Sequence, residues 1–195
     1  MNDPLRYFIL LADAGVPMIF LTFPAMLILL TPIVLVEAFL YRKWLRIKTR
    51  KAVSYSIWSN IASLILGIPL AWGMMFLFEL SFFGIFESKL DLLAKSPFAN
   101  VIFLIVGSAW LGPTTTPWII PAACLVLLIP FYLASYGVEY LVVRILINQE
   151  EPHHADRDVR VAVRNANLVS YAALFTGTSF WLVWSYLHSH YSIRF

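Results

Sequence analysis

The hydrophobic residues of this chain fall into four long blocks that are separated by short polar stretches. The blocks cover residues 16–41, 52–78, 118–143 and 161–187. Each holds the roughly 20 apolar residues that a helix needs to cross a bilayer. They do not alternate polar and apolar residues in the way of a membrane β-strand. The pattern therefore predicts an all-α integral membrane protein with four transmembrane helices.

A fifth apolar segment, near residues 98–111, is too short to cross a membrane. Its 14 residues would form a helix of about 21 Å, whereas the hydrocarbon core is about 30 Å thick. A run rich in proline and threonine follows it at 112–117. We expect a re-entrant or interfacial helix here, which leaves four crossings in the chain.

Charge sets the expected orientation in the membrane. The loop at 42–51 holds six basic residues and no acid, and such loops remain in the cytoplasm. With four crossings, the loop at 144–160 lies on the same side, and both termini lie outside. Residues 1–14 lack the pattern of a cleavable signal peptide, so we expect the first span to direct insertion, most simply into a bacterial inner membrane.

Composition agrees with a membrane protein and argues against a nucleic-acid partner. The chain is 61% hydrophobic and 13% charged, against about 45–50% and about 25% in soluble domains. Its net charge of +3 comes largely from the loop at 42–51, where topology explains it. The single cysteine excludes an intrachain disulfide. We predict no cofactor, and we expect the lipid bilayer and other membrane subunits, or copies of this chain, as partners.

The two halves of the chain share a short pattern. Glutamate precedes arginine by five residues at Glu37 and again at Glu139, and a polar loop follows in both halves. Asparagine then precedes serine by three residues, at Asn60 and at Asn167. We therefore interpret the chain, 1–195, as a single transmembrane domain of two parallel-repeated hairpins, at about 16–83 and 118–187, joined by segment 84–117. The alternative is that this pattern merely marks a span ending at the cytoplasmic face.

The polar residues inside the predicted spans are the candidates for function. Insertion of a charged side chain near the centre of a span costs about 2.5–3.5 kcal/mol. A glutamate within a span therefore calls for a structural or functional explanation. We expect a Glu–Asn–Ser cluster within each hairpin, which either pairs the helices or binds a proton or cation. Its members are Glu37, Glu139, Asn60, Asn167, Ser63 and Ser170.

Two further groups of residues have a possible function and a simpler explanation. The basic residues Arg42, Lys43, Arg46 and Lys48 could bind anionic lipid headgroups, or could simply determine topology. The side chains of His153, His154 and Asp156 offer metal-binding atoms, but their spacing matches no known metal motif and also suits a solvated loop. The sequence holds no recognised catalytic motif, so no catalytic residue is assigned.

Three functions are consistent with these features. The first is a non-catalytic subunit or assembly partner of a larger membrane complex, because the chain lacks both a soluble domain and a catalytic motif. The second is a small proton- or cation-coupled transporter or channel that uses the intramembrane glutamates. The third is a membrane enzyme or metal-binding protein that uses the histidine loop.

Overall fold

The computed structural model describes residues 18–86, 95–96, 98–109, 117–150 and 155–191. Within these ranges all regular structure is helical and none is strand, as the apolar blocks predict. The N-terminal segment 1–14, the run at 112–116, and His153 and His154 lie outside the described residues.

The described helices are long and closely follow the apolar blocks. In chain order they are α1 (Met18–Leu45), α2 (Thr49–Ala62), α3 (Ile68–Phe86), α4 (Ala99–Gly107), α5 (Ile119–Glu150) and α6 (Asp156–Tyr191). A π-helical turn, Ser63–Gly67, joins α2 to α3, so that Thr49–Phe86 forms one helical stretch of 38 residues.

Three of these helices are long and apolar enough to cross a membrane. They are Thr49–Phe86, Ile119–Glu150 and Asp156–Ser189, and they are consistent with an integral membrane protein. The first apolar block also forms a helix, α1, of 28 residues. At nine residues, α4 is about 14 Å long, so residues 99–107 of this apolar segment form a short helix. Its re-entrant or interfacial position stays a prediction.

Proline and glycine account for the irregular backbone between α2 and α3. Pro69 has no N–H, so it cannot donate the helical hydrogen bond to the carbonyl of Ile65. The π turn lies directly before it and ends at Gly67. The sequence Gly67-Ile68-Pro69 predicts a bend at this place, and the structure has a π turn there.

The chain divides into two compact units. The first comprises Phe23–Ala71 and Pro130–Leu174, and we call it the carboxyl unit because it contains Glu37 and Glu139. The second, the aromatic unit, comprises the described residues of 1–22, 72–129 and 175–195. The core of the carboxyl unit is built from α1, α2, α5 and α6, and it buries Tyr41, Tyr55 and Ile147 almost completely.

The buried positions of the carboxyl unit recur at equal spacing in the two halves of the chain. The residues four and eight positions after each glutamate are buried: Tyr41, Leu45, Val143 and Ile147. The residues eight, five, four and one positions before each asparagine are buried as well: Ala52, Tyr55, Ser56, Ser59, Val159, Ala162, Val163 and Ala166. Corresponding helices of the two halves therefore bury the same face.

Candidate functional site

Two glutamates lie in the interior of the carboxyl unit. The Glu37 side chain on α1 is 1% exposed and that of Glu139 on α5 is 2% exposed. Both lie on the helix face that also buries the residue one turn later, because positions i and i+4 share a face. A carboxyl group withdrawn from water must be neutralised or hydrogen-bonded, since an unpaired buried charge is costly.

Each glutamate is hydrogen-bonded to the asparagine of its own half. On α2, Asn60 donates its Nδ2 hydrogens to Glu37 Oε2 and, over 2.9 Å, to the main-chain oxygen of Ser56. On α6, Asn167 donates from Nδ2 to Glu139 Oε2 over 2.7 Å and to the main-chain oxygen of Val163 over 3.2 Å. The main-chain carbonyl four residues earlier thus turns each amide nitrogen towards its carboxyl group.

The serines link the two halves. Ser170 on α6 donates to Glu37 Oε1 over 2.9 Å, so it contacts the glutamate of the other half rather than Glu139. Ser63, in the π turn, is hydrogen-bonded to Ser135 on α5 over 2.8 Å and lies within hydrogen-bond range of Glu139, the glutamate of the other half. The sequence predicts a Glu–Asn–Ser cluster within each hairpin, whereas the structure pairs Glu with Asn within each half and connects the serines across.

The two carboxyl groups are close enough to interact with each other. The charges and hydrogen bonds that act on them come from each other and from Asn60, Asn167, serines and Tyr41. No basic side chain of the described residues is among these groups. The hydroxyl of Tyr41 lies 3.5 Å from Glu139 Oε2, which is long for such a bond.

One polar atom at this site has no hydrogen-bond partner within the described part of the chain. It is Oδ1 of Asn167, on a side chain that is fully buried. Buried polar atoms are nearly always hydrogen-bonded, and an exception calls for an explanation. Because the nitrogen of the same amide binds Glu139, the orphan acceptor belongs to the immediate surroundings of that carboxyl group.

The basic residues proposed to bind headgroups lie at the connection between α1 and α2. Arg42, Lys43, Arg46 and Lys48 are all exposed. Arg46 adopts a φ of 52°, a left-handed conformation that is uncommon outside glycine and that here allows a three-residue connection between the helices. The four side chains share one exposed end of the carboxyl unit, and their role in binding lipid remains a prediction.

The predicted metal ligands gain no support from the residues that can be described. Asp156 accepts a hydrogen bond from Tyr140 over 2.7 Å and ion pairs with Arg144 over 3.0 Å and Arg160 over 3.3 Å. Its carboxylate is therefore engaged by α5 and α6. The described ranges contain no group of three or more His, Cys, Asp or Glu side chains that could hold a metal ion.

Three residues of the site are absent from the sequence-based prediction. Tyr41 lies one helical turn after Glu37, and Ser135 lies one turn before Glu139, so helical spacing could have indicated both. Tyr171, whose hydroxyl is 2.9 Å from Ser135 Oγ, directly follows Ser170 in the sequence. Its contact depends on how α5 and α6 pack, which the sequence pattern does not give.

Comparison with protein-family models, curated proteins and solved structures found no match. The arguments for function therefore come from the chemistry of the carboxyl unit itself.

Proposed function

We propose that this chain is a small transporter or channel, coupled to a proton or a cation, in which Glu37 and Glu139 form the ion site. The observation that carries this proposal is that both carboxyl groups are buried side by side while no basic side chain of the described residues acts on either. An ionisable group within a membrane segment is by default a candidate functional site.

Helix pairing alone is a poor explanation for two carboxyl groups. Interhelical hydrogen bonds in membranes average about 0.6 kcal/mol, and asparagine and serine can make them without any ionisable group. Replacement of buried charged groups by well-packed apolar ones is often neutral or stabilising. A purely structural role would therefore be better served by uncharged residues at positions 37 and 139.

The repeated burial pattern supports the predicted arrangement of two hairpins. In this proposal α1 makes the fourth crossing, α1 pairs with α2 and α3, and α5 pairs with α6. The hairpins are then parallel repeats related by an axis along the membrane normal, as in some transporters. The Glu–Asn bond that recurs in each half is the side-chain counterpart of that repeat.

The π turn also supports a functional site at this position. π-helical turns inside α-helices occur frequently at functional sites. Ser63, the first residue of the turn, is both bonded to Ser135 and close to Glu139. The backbone irregularity therefore lies beside the carboxyl pair.

Flux measurements on reconstituted vesicles test the proposal. A dye sensitive to pH reports proton movement, and isotopic sodium and potassium report cation movement. Glu37→Gln and Glu139→Gln should each abolish the flux without lowering expression. The matched control is Glu150→Gln, because Glu150 lies on α5 but is exposed and pairs with Lys51. If wild-type vesicles show no flux dependent on protons or cations, the proposal is wrong.

A labelling experiment tests the proposed topology independently of transport. Single cysteines replace Thr49 and Ala155, which are both exposed, in a background where Cys124 is alanine. A membrane-impermeant maleimide should reach both positions from the cytoplasmic side and neither from the other. If the two positions are labelled from opposite sides of the membrane, the proposed arrangement of two parallel hairpins is wrong.

A complex subunit is the second candidate function, and the surface of α6 favours it. Only 17% of the apolar window in this helix is buried. Its exposed large side chains include Phe175, Phe180, Trp181, Val183 and Trp184. Such a surface contacts either lipid or another membrane protein. Purification in mild detergent from native membranes should then recover a second membrane protein in stoichiometric amount, and an active chain isolated alone would exclude this function.

A further inference from the structure

The hydrogen bonds around Glu37 suit a charged carboxylate. Both of its oxygens accept a bond, Oε2 from Asn60 Nδ2 and Oε1 from Ser170 Oγ. The two donors come from different halves of the carboxyl unit. Hydrogen bonds donated to a carboxylate favour its ionised form, and bonds to a charged group are stronger than neutral ones.

The surroundings of Glu139 contain an acceptor that no donor of the described residues uses. Its bonds from Asn167 Nδ2 at 2.7 Å and from the hydroxyl of Tyr41 at 3.5 Å both end on Oε2. Ser63, which is hydrogen-bonded to Ser135 over 2.8 Å, also lies within hydrogen-bond range of Glu139. Asn167 Oδ1, on the amide that binds Glu139, accepts no hydrogen bond from the described part of the chain.

We infer that the carboxyl pair binds one exchangeable proton rather than a metal ion, with the proton on Glu139 and the negative charge on Glu37. A neutral Glu139 has an O–H that can donate, and the acceptor Asn167 Oδ1 on the adjoining amide has no donor among the described residues. Two carboxylates side by side without a cation repel each other, so one of them takes up a proton. The inference uses the site of the proposed function and names its coupling ion, but it does not require transport.

The orientation of the asparagines argues against a metal ion. A sodium- or calcium-like site surrounds the cation with several oxygen atoms. Here Asn60 and Asn167 direct their amide nitrogens towards the carboxyl oxygens. The carbonyls of Ser56 and Val163 fix that orientation, because each accepts the second hydrogen of the amide. Donors thus occupy the positions from which a cation would be coordinated.

The other titratable groups that face the pair do not change charge near neutral pH. They are Tyr41 on α1 and Tyr171 on α6, both of which interact with the two carboxyl groups. The phenol of tyrosine ordinarily ionises near pH 10, so each stays neutral. The described residues of α2 contribute only amide and hydroxyl groups to the site, and α5 contributes Glu139 itself and Ser135. Titration at this site near neutral pH is therefore that of the carboxyl pair.

Infrared spectroscopy of the full chain in detergent or lipid tests the inference directly. The C=O stretch of a neutral carboxylic acid is distinct from the bands of carboxylates and amides. Wild-type protein should show one protonated carboxyl band at neutral pH that disappears on raising the pH. Glu139→Gln should remove this band, and Glu150→Gln, at an exposed site, should leave it unchanged. In Glu37→Gln the band should persist at neutral pH but disappear at a lower pH than in wild type, because the neighbouring charge is gone.

A second variant distinguishes this role from simple packing. Asn167→Leu removes both the Nδ2 donor to Glu139 and the acceptor Oδ1 while filling a similar volume, so the carboxyl band should shift to the higher frequency of a C=O group with weaker hydrogen bonding. Asn60→Leu, at the corresponding position of the other half, should not produce that shift in the Glu139 band. The wild-type titration needs no substitution and remains decisive if a variant fails to fold.

Three results would overturn the inference. The first is the absence of any protonated carboxyl band at neutral pH, and the second is loss of the band in Glu37→Gln but not in Glu139→Gln. The third is removal of the band by sodium or calcium chloride at constant pH, which would show that a metal ion displaces the proton. A vesicle that shows no flux, together with an intact titrating band, would instead refute the proposed transport and leave the proton site standing.

Discussion

The two halves of the carboxyl unit have the same scaffold but different polar surroundings. In both, a glutamate binds the amide of an asparagine, and that amide also binds the carbonyl one turn before it. At the position four residues before the asparagine, however, the first half has Ser56 and the second has Val163. At the position four residues after the glutamate, the first half has Tyr41 and the second has Val143.

The backbone differs between the halves as well. The residues after Asn60 form the π turn Ser63–Gly67, whereas those at the same spacing after Asn167 remain α-helical in α6. Position 67 is glycine in the first half, and Leu174 occupies the matching place in the second. A repeated scaffold thus positions both carboxyl groups, while a departure from the repeat, Tyr41, adds a further hydroxyl beside Glu139.

The largest predicted effect is a difference in stability between variants of the two asparagines, Asn60 and Asn167. Asn60→Leu removes the amide donor from the carboxylate that we propose is charged, so it should lower the free energy of unfolding by about 3–5 kcal/mol. Asn167 binds the proposed neutral Glu139, so Asn167→Leu should lower the free energy of unfolding by less, about 1–2 kcal/mol. Denaturant titration in detergent measures both, with Asn148→Leu at an exposed position of α5 as the matched control.

The pH dependence sharpens this prediction. Acidification protonates Glu37 and removes the uncompensated charge, so the destabilisation in Asn60→Leu should shrink as the pH falls. The effect of Asn167→Leu should change little, because Glu139 is already neutral. Equal losses in the two variants at every pH would contradict the assignment of charge to Glu37.

The sequence predicts the polar residues of this site better than it predicts their partners. Helical periodicity places Asn60 and Ser63 on one face, and the same holds for Asn167 and Ser170. That Ser170 contacts Glu37 depends on how α6 is rotated against α1, which is set by tertiary packing of both halves. Spacing within a single helix carries no information on this rotation.

The helices also extend beyond the apolar blocks. The first block is expected to end near residue 41 and the third near residue 143, yet α1 continues to Leu45 and α5 to Glu150. Hydropathy marks the part of a helix that suits hydrocarbon, whereas backbone hydrogen bonds continue until a turn ends them. Tyr55, for example, bonds to Glu150 over 3.1 Å near the end of α5, where no apolar pattern would indicate a helix.

A smaller difference in stability is expected between variants of the two serines, Ser170 and Ser63. Ser170→Ala removes a donor from the charged Glu37, so we expect it to lower the free energy of unfolding by about 1.7 kcal/mol, the upper end measured for hydrogen bonds in membranes. Ser63→Ala affects only neutral partners, the Ser135 hydroxyl and the proposed neutral Glu139, and should cost about 0.6 kcal/mol. Ser81→Ala, at an exposed site on α3, is the control in the same unfolding assay. A larger loss for Ser63→Ala than for Ser170→Ala would reverse the comparison.

The smallest effect concerns the π turn, and it tests whether the glycine there is needed for space or for backbone geometry. A Cβ added to Gly67 would lie 3.5 Å from Ser63 Oγ and 3.9 Å from Ala134 Cβ, which are ordinary contacts. Gly67→Ala should therefore stabilise the chain by about 0.5–1 kcal/mol, the usual gain from replacing glycine inside a helix. Gly73→Ala on α3, where the added atom meets nothing within 4 Å, should give the same gain. If Gly67→Ala destabilises the protein or abolishes flux while Gly73→Ala does not, the first half requires the backbone freedom of glycine beside its carboxyl group. The π turn would then be part of the mechanism rather than a consequence of Pro69.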